Sequence, residues 1–371
     1  MLDLLITNAS LPDGRTGIDI AIENGRIVEV REQIAANARE TIDAAGQLVS
    51  PPFVDAHFHM DATLSYGLPR VNQSGTLLEV KKRVAPYLDL QLVAFPQDGV
   101  LRSPGALDNL KRALDKGVEV VGGIPHFERT MADGTASVAA LCELAAQRGL
   151  MVDMHCDESD DPLSRHIETL AYHARRLGLE GRVTGSHLTS MHSMDNYYVS
   201  KLLPLMAEAR VHAVANPLIN ITLQGRHDTY PKRRGMTRVK ELMQAGVNVA
   251  FGHDCVLDPW YPLGSHDMLE VAHMGLHVAQ MTGTEEMRHL FEAVTFNGAT
   301  ILGLAGYGLE PGCFADLVIL QAGDPVEALR LKPARLFVIR RGAVIAETAP
   351  VASRLNLGGQ SISVDFRHTT D

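Results

Sequence analysis

The chain has 371 residues, 46% hydrophobic and 21% charged, an ordinary composition for a soluble globular enzyme with room for one large domain and a smaller one. Its 34 Lys plus Arg against 44 Asp plus Glu give a formal net charge of −10, the wrong sign for a nucleic-acid surface. No apolar run approaches the roughly 20 residues of a membrane helix, the N-terminus lacks a basic leader, and Cys142, Cys156, Cys255 and Cys313 form no C-x-x-C pair, so a reducing cytoplasm is expected.

Residues 1–50 read as short strands and turns. Leu4–Thr7, Ile18–Glu23 and Arg26–Val30 are separated by Pro12-Asp13-Gly14 and by Asn24-Gly25, the latter a strong hairpin signal. From residue 51 the pattern changes. Apolar or β-branched runs recur at Phe53–His59, Leu90–Pro96, Val118–Ile124, Met151–His155, Val183–His187, His212–Pro217 and Val247–Gly252. Helical patterns lie between them, at Leu107–Lys116, Ser137–Arg148, Ser164–Leu177 and Val239–Gln244. Strand alternating with helix predicts a parallel sheet with right-handed crossovers. A repeat of roughly 30 residues is that of a (β/α) TIM-type barrel, expected over 51–304, with seven runs visible where a closed barrel has eight. After residue 305 the short-strand style returns at Asp316–Leu320, Arg335–Arg340 and Ala343–Glu347. Residues 1–50 and 305–371 are therefore expected to build one small β-sandwich domain together. The basic run Lys232-Arg233-Arg234 reads as a solvated or salt-bridged loop.

Catalytic groups of such barrels sit at the C-terminal ends of the strands, and several runs here end in, or are followed at once by, a polar or ionisable residue. His57-Phe58-His59 closes the first run; alternation along a strand sends both imidazoles to one face, a start on a metal site. His155-Cys156-Asp157-Glu158 adds a third imidazole and a carboxylate suited to general acid–base work. Decoration of the helix start near Pro162 is the lesser reading of the acidic cluster Glu158-Asp160-Asp161, least so for Glu158. Ser186-His187 and Gly252-His253-Asp254 end two further runs. Three His and one Asp, with room for water, suit a catalytic metal ion.

In order and wording these segments resemble the cytosine deaminases of the amidohydrolase superfamily. The likeness runs through Phe53–Asp61, Val93–Gln97, His155–Glu158, Ser186-His187 and Gly252–Asp254, and more specifically through Asn216–Asn220, Gln224–Gly235 and Asp258–Gly264. The resemblance implies one divalent metal ion, Fe2+ or Zn2+, on His57, His59, His155 and Asp254. It implies Glu158 as proton shuttle, His187 as the group that orients the attacking water, and Gln97, Leu77 and Trp260 around a pyrimidine-type ring. The implied reaction is cytosine to uracil plus ammonia, in a cytoplasmic homo-oligomer acting on a small nucleobase-like substrate. Two departures stand out. The family's strand–helix unit between the segments 72–79 and Val80-Lys81-Lys82 is missing, matching the eighth run. Cys255 replaces the family's second Asp and makes a weaker hydrogen bond to a ring, which points to other aminated heterocycles such as a substituted pyrimidine, an isoguanine-like purine or an aminotriazine; the bland reading is a buried Cys that fills space.

Three rivals are separable. A two-metal ring opener needs a bridging Lys or Glu on the middle strand, and Val121–His126 has none. The small zinc deaminases pair His-x-Glu with Pro-Cys-x-x-Cys; His126-Phe127-Glu128 matches the first half and nothing matches the second, and a site-lining role for His126 and Glu128, at a strand end, is the minor reading. A catalytically dead barrel serving as a binding or assembly module would take up no metal.

Overall fold

The computed structural model describes residues 1–63 and 84–366. Leu77 and the fused segments around Glu79-Val80 lie outside the described residues. Strands β1 (Leu2–Ala9), β2 (Ile18–Glu23), β3 (Arg26–Glu32) and β4 (Ala38–Asp43) form one sheet in the order β3-β2-β1-β4. Register pairs Leu4 with Ile22 and Ile6 with Ile20, so the apolar alternate positions share a face. Asn24 (φ 53°) and Gly25 (φ 73°) join β2 to β3, both in the left-handed region that a type I′ turn requires. β4 escapes sequence reasoning because Ile42 alone is buried in it. β5 (Leu48–Ser50) leaves this sheet for another.

Six parallel strands follow: β6 (Val93–Ala94), β7 (Val120–Gly123), β8 (Met151–Cys156), β9 (Val183–His187), β10 (His212–Ala215) and β11 (Val249–Phe251), each hydrogen-bonded to its neighbour in chain order. Helices cover them and bury Leu141, Ile167, Leu170, Leu202 and Leu269 with the strands' Val121, Val152 and Phe251. Because both faces are buried, the strands read as continuous apolar runs rather than alternating ones. The helix Met131–Arg148 starts before the expected Ser137, since the Thr130 hydroxyl accepts the Asp133 N–H at 3.1 Å and so caps it. Gly134 is required inside that helix, where a Cβ would lie 2.6 Å from the Pro125 carbonyl.

Two expected strands need correction. Leu90–Pro96 pairs only over Val93–Ala94. Phe53–His59 is not a strand: it makes one parallel bridge, Phe58 to Asp254, beside the end of β11. Pro51 and Pro52 have no N–H to give a ladder, and the His57 N–H goes to the Asp55 carboxylate at 3.2 Å. The bridge is still firm, with the His59 N–H donating to the Asp254 carbonyl at 2.8 Å and the Asp254 N–H to the His57 carbonyl at 2.9 Å.

β12 (Leu317–Leu320), β13 (Arg335–Arg340) and β14 (Ala343–Glu347) add to β5 in the order β14-β13-β12-β5. Leu317, Ile319 and Leu336 pack with Leu4, Ile6, Ile20 and Ile22 in one apolar core, so both ends of the chain supply it. β15 (Ser353–Leu357) and β16 (Gln360–Val364) pair only with each other. In the basic run, Arg233 forms an ion pair with Asp228 at 2.6 Å. No helix among the described residues is long and apolar enough to cross a membrane.

Candidate metal and catalytic site

The strand ends converge. His155 sits in β8, His187 closes β9, and Asp254 follows β11, while the bridged segment brings His57 and His59 alongside. One ligand atom from each of His57, His59, His155 and Asp254 lies within 4.8 Å of the others. His59 Nε2 and His155 Nε2 stand 2.9 Å apart. Asp254 Oδ1 is 3.5 Å from His57 Nε2 and 3.3 Å from His59 Nε2. His57 Nε2 is buried without a hydrogen-bond partner. Ring nitrogens this close repel through their lone pairs unless a proton or a cation lies between them, and an unpartnered buried nitrogen is costly. Three imidazoles and one carboxylate are a fitting donor set for zinc or iron.

A second group overlaps the first. Glu158, His187 and Asp254 also bring ligand atoms within 4.8 Å of one another. His187 Nδ1 is 3.3 Å from Glu158 Oε1, and His187 Nε2 is 3.9 Å from Asp254 Oδ2. Backbone shape aims these groups: Asp157 (φ 54°), His187 (φ 73°) and Asp254 (φ 68°) all take left-handed conformations. Such residues cost about 1–3 kcal/mol each and cluster where function fixes geometry.

The two carboxylates are pushed apart in acidity. Burial, and then the negative charge of Asp254, raise Glu158 to about 8. Burial opposes the ionised form of Asp254 too, yet the neighbouring His57 and the surrounding imidazoles hold it well below the usual carboxylate range. Burial would also neutralise His57, but the facing carboxylates of Asp153 and Asp254, 3.6 and 3.5 Å away, outweigh it and raise the imidazole to about 10. His155 and His187 are driven well below 6.5 by burial. A charged carboxylate beside a protonated one is the pattern that separates ligand from acid–base group.

Several neighbours were not singled out in the sequence. Asp153 lies two residues before His155 on the same strand face; its Oδ2 is 3.6 Å from His57 Nδ1 and its Oδ1 accepts the Ser186 hydroxyl at 2.6 Å. The Asp-x-His spacing was the available signal. Asp157 accepts the N–H groups of His166 and Ile167 at 3.0 and 2.8 Å, so it, rather than Asp160 or Asp161, caps the helix His166–Arg176. Phe95 stacks on His155 at 4.1 Å between ring centres. Asn216 and Asn220 reach His187.

Of the residues expected around a substrate, Gln97 lines a cavity of about 430 Å³ together with His57, His59, Phe95, Asp153 and His155. The Trp260 ring centre is 6.5 Å from that of His59, and its side chain is half exposed. Cys255 is buried; burial and the charge of Asp254 push its thiol well above the usual range, so it is a neutral group. Glu128 does not face this group of residues. Its carboxylate accepts the backbone N–H groups of Val100, Leu101 and Arg102 at 2.7, 3.0 and 2.7 Å and closes that loop. His126 contacts the site through backbone, its Nδ1 3.1 Å from the His155 carbonyl.

Residues 79–352 match the family described as "Amidohydrolase family". The structure of 5-methylcytosine deaminase from Klebsiella pneumoniae liganded with 5-fluorocytosine superposes with a TM-score of 0.88 at 38% identity, covering 95% of this chain and 99% of that one. N-isopropylammelide isopropyl amidohydrolase of Pseudomonas sp. (strain ADP) is 26% identical over 93% of this chain and 97% of its own length. Pterin deaminase of Rhizobium rhizogenes is 30% identical over 73% of this chain and 62% of its own length.

Proposed function

This chain belongs to the amidohydrolase family, hydrolases that act on C–N bonds, and from that premise we propose that it deaminates an aminated pyrimidine of the cytosine type, releasing ammonia. The observation that carries the proposal is the overlap of two groups of ligand atoms at Asp254, one with His57, His59 and His155 and the other with Glu158 and His187. In this reading residues 51–304 are the wall of a (β/α) barrel and residues 1–50 with 305–371 are the composite β domain of a cytoplasmic homo-oligomer.

His57, His59, His155 and Asp254 hold one divalent ion, Fe2+ or Zn2+, which when bound supplies the Lewis acidity that brings water toward a pKa of about 7. The chain's own groups do the rest. His187 Nε2 faces Asp254 Oδ2 and orients the attacking water. Glu158, with a carboxyl poised near neutrality, carries a proton to the ring nitrogen next to the attacked carbon. One proton of the attacking water restores Glu158, the other passes to the exocyclic amine, and the C–N bond breaks to release ammonia while the ring carbon keeps the water's oxygen as a carbonyl. Gln97 holds the amide-like edge of the ring, and Trp260 walls it.

Cys255 sharpens the substrate. A neutral, compact thiol beside Asp254 leaves space at a ring edge where a second carboxylate would hydrogen-bond. The likeness to the 5-methylcytosine deaminase favours a cytosine substituted at that edge alongside cytosine itself. A second reading, an isoguanine-like purine or an aminotriazine, draws on the same Cys255 and on relatives named for pterin and N-isopropylammelide.

The test is ammonia release by protein reconstituted separately with Fe2+ and Zn2+. Turnover of cytosine or 5-methylcytosine supports the proposal. Silence on both from a metal-loaded protein moves the substrate to the other heterocycles, and failure to take up metal contradicts the site itself.

A further inference from the structure

We propose that Asn220 fixes the tautomer of His187, keeping the ring proton on Nε2 toward Asp254 and Nδ1 as an acceptor. The inference deepens the functional reading above, since it rests on His187 taking part in the reaction.

Asn220 is fully buried in the short helix Pro217–Leu223 that follows β10. Its Oδ1 accepts the backbone N–H of Asn216 at 3.2 Å. A backbone N–H only donates, so this contact orients the amide and leaves its NH₂ end facing the site. That Nδ2 stands 2.9 Å from His187 Nδ1 and 3.5 Å from Glu158 Oε1, one hydrogen for each. An N–H aimed at Nδ1 demands a lone pair there. In a neutral imidazole the proton must then sit on Nε2, the nitrogen 3.9 Å from Asp254 Oδ2. Asn216 Nδ2 approaches the same Nδ1 at 3.2 Å and Nε2 at 3.5 Å.

Glu158 competes. Its Oε1 is 3.3 Å from His187 Nδ1, and an ionised carboxylate would draw the ring proton to that side. His187 would then turn a bare lone pair toward Asp254. The Asn220 contact is shorter and its polarity is locked by backbone, so Glu158 takes the second amide hydrogen instead of the imidazole's. Asn220 is thus a positioning residue that separates two tasks: His187 donates at Nε2 and does not relay protons, while Glu158 keeps its proton for the substrate.

The ring nitrogens of ¹⁵N-histidine-labelled, zinc-loaded protein report this directly, with His187 assigned by its loss in His187→Gln. The expected wild-type pattern is an unprotonated shift at Nδ1 and a protonated one at Nε2. Asn220→Asp substitutes an acceptor for the donor; the Nδ1 signal should move to the protonated range and kcat should fall about 100-fold or more at unchanged zinc content. Asn220→Ala, which leaves the Asn216 amide, should give a mixed pattern and a smaller loss. A proton on Nδ1 in the wild type, or an unchanged pattern in Asn220→Asp, overturns the inference. If His187→Gln keeps its turnover while the wild-type pattern is as expected, the tautomer assignment stands and the role given to His187 falls.

Discussion

The apolar core supplied by strands from both ends of the chain and the C-terminal face of the parallel sheet bury their residues on opposite terms. In the first, Leu4, Ile6, Ile20, Ile22, Leu317 and Ile319 form a dry apolar interior, and left-handed residues such as Asn24 and Gly25 sit in turns. At the ends of β8, β9 and β11 the buried residues are His155, His187 and Asp254, with Glu158 partly buried beside them, and left-handed backbone falls on His187 and Asp254 themselves. One region maximises burial and local consistency. The other holds crowded imidazoles and an unpartnered His57 Nε2 that only surrounding structure keeps in place. Departures from ordinary packing rules mark where function lies.

Substitutions should separate the two regions. His155→Ala or Asp254→Ala removes a ligand; metal content should collapse and turnover should drop on the order of 10³-fold or more. The metal-free form of His155→Ala should unfold no earlier than metal-free wild type, because crowding among the imidazoles is relieved, whereas metal-free Asp254→Ala should lose stability with the counter-charge of His57. Ile20→Ala should do the reverse, costing about 2–5 kcal/mol in denaturant unfolding with kcat per folded, metal-loaded molecule unchanged. Equal loss of turnover in both would erase the distinction.

Smaller effects sharpen it. Asp153→Asn weakens the carboxylate support of His57 and should lower metal affinity about 10–100-fold in chelator competition. Metal must also displace the proton that His57 holds up to about 10. Apparent metal affinity should therefore climb with pH, by up to about tenfold per unit, until it levels near that value; Asp153→Asn should flatten the climb. In the metal-free protein the sign is opposite. The raised His57 adds stability that is complete below 6.5 and fades as pH rises toward about 10.

Much of this was legible in the sequence. Continuous apolar runs marked the parallel strands, and the His and Asp residues at or just beyond the ends of the runs pointed to the grouping of His57, His59, His155 and Asp254, because buried strands and strand-end side chains both leave local marks. The Asn24-Gly25 turn was equally plain. What escaped depended on partners distant in sequence. Phe53–His59 looks like a strand, yet prolines and Asp55 divert its hydrogen bonds. β4 has too few apolar residues to alternate. Asp153 and Asn220 carry meaning only once His57 and His187 stand beside them. Glu128 has the look of a site residue, but three backbone N–H groups occupy it.

The most direct measurement sets wild type beside Glu158→Gln, with metal content and ammonia release from cytosine and 5-methylcytosine recorded on the same preparations. The expected result is equal metal in both and turnover lower by about 10²–10⁴-fold in the variant. Near-wild-type turnover in Glu158→Gln, at equal metal, would contradict the assignment of Glu158 as the proton carrier and with it the proposed mechanism.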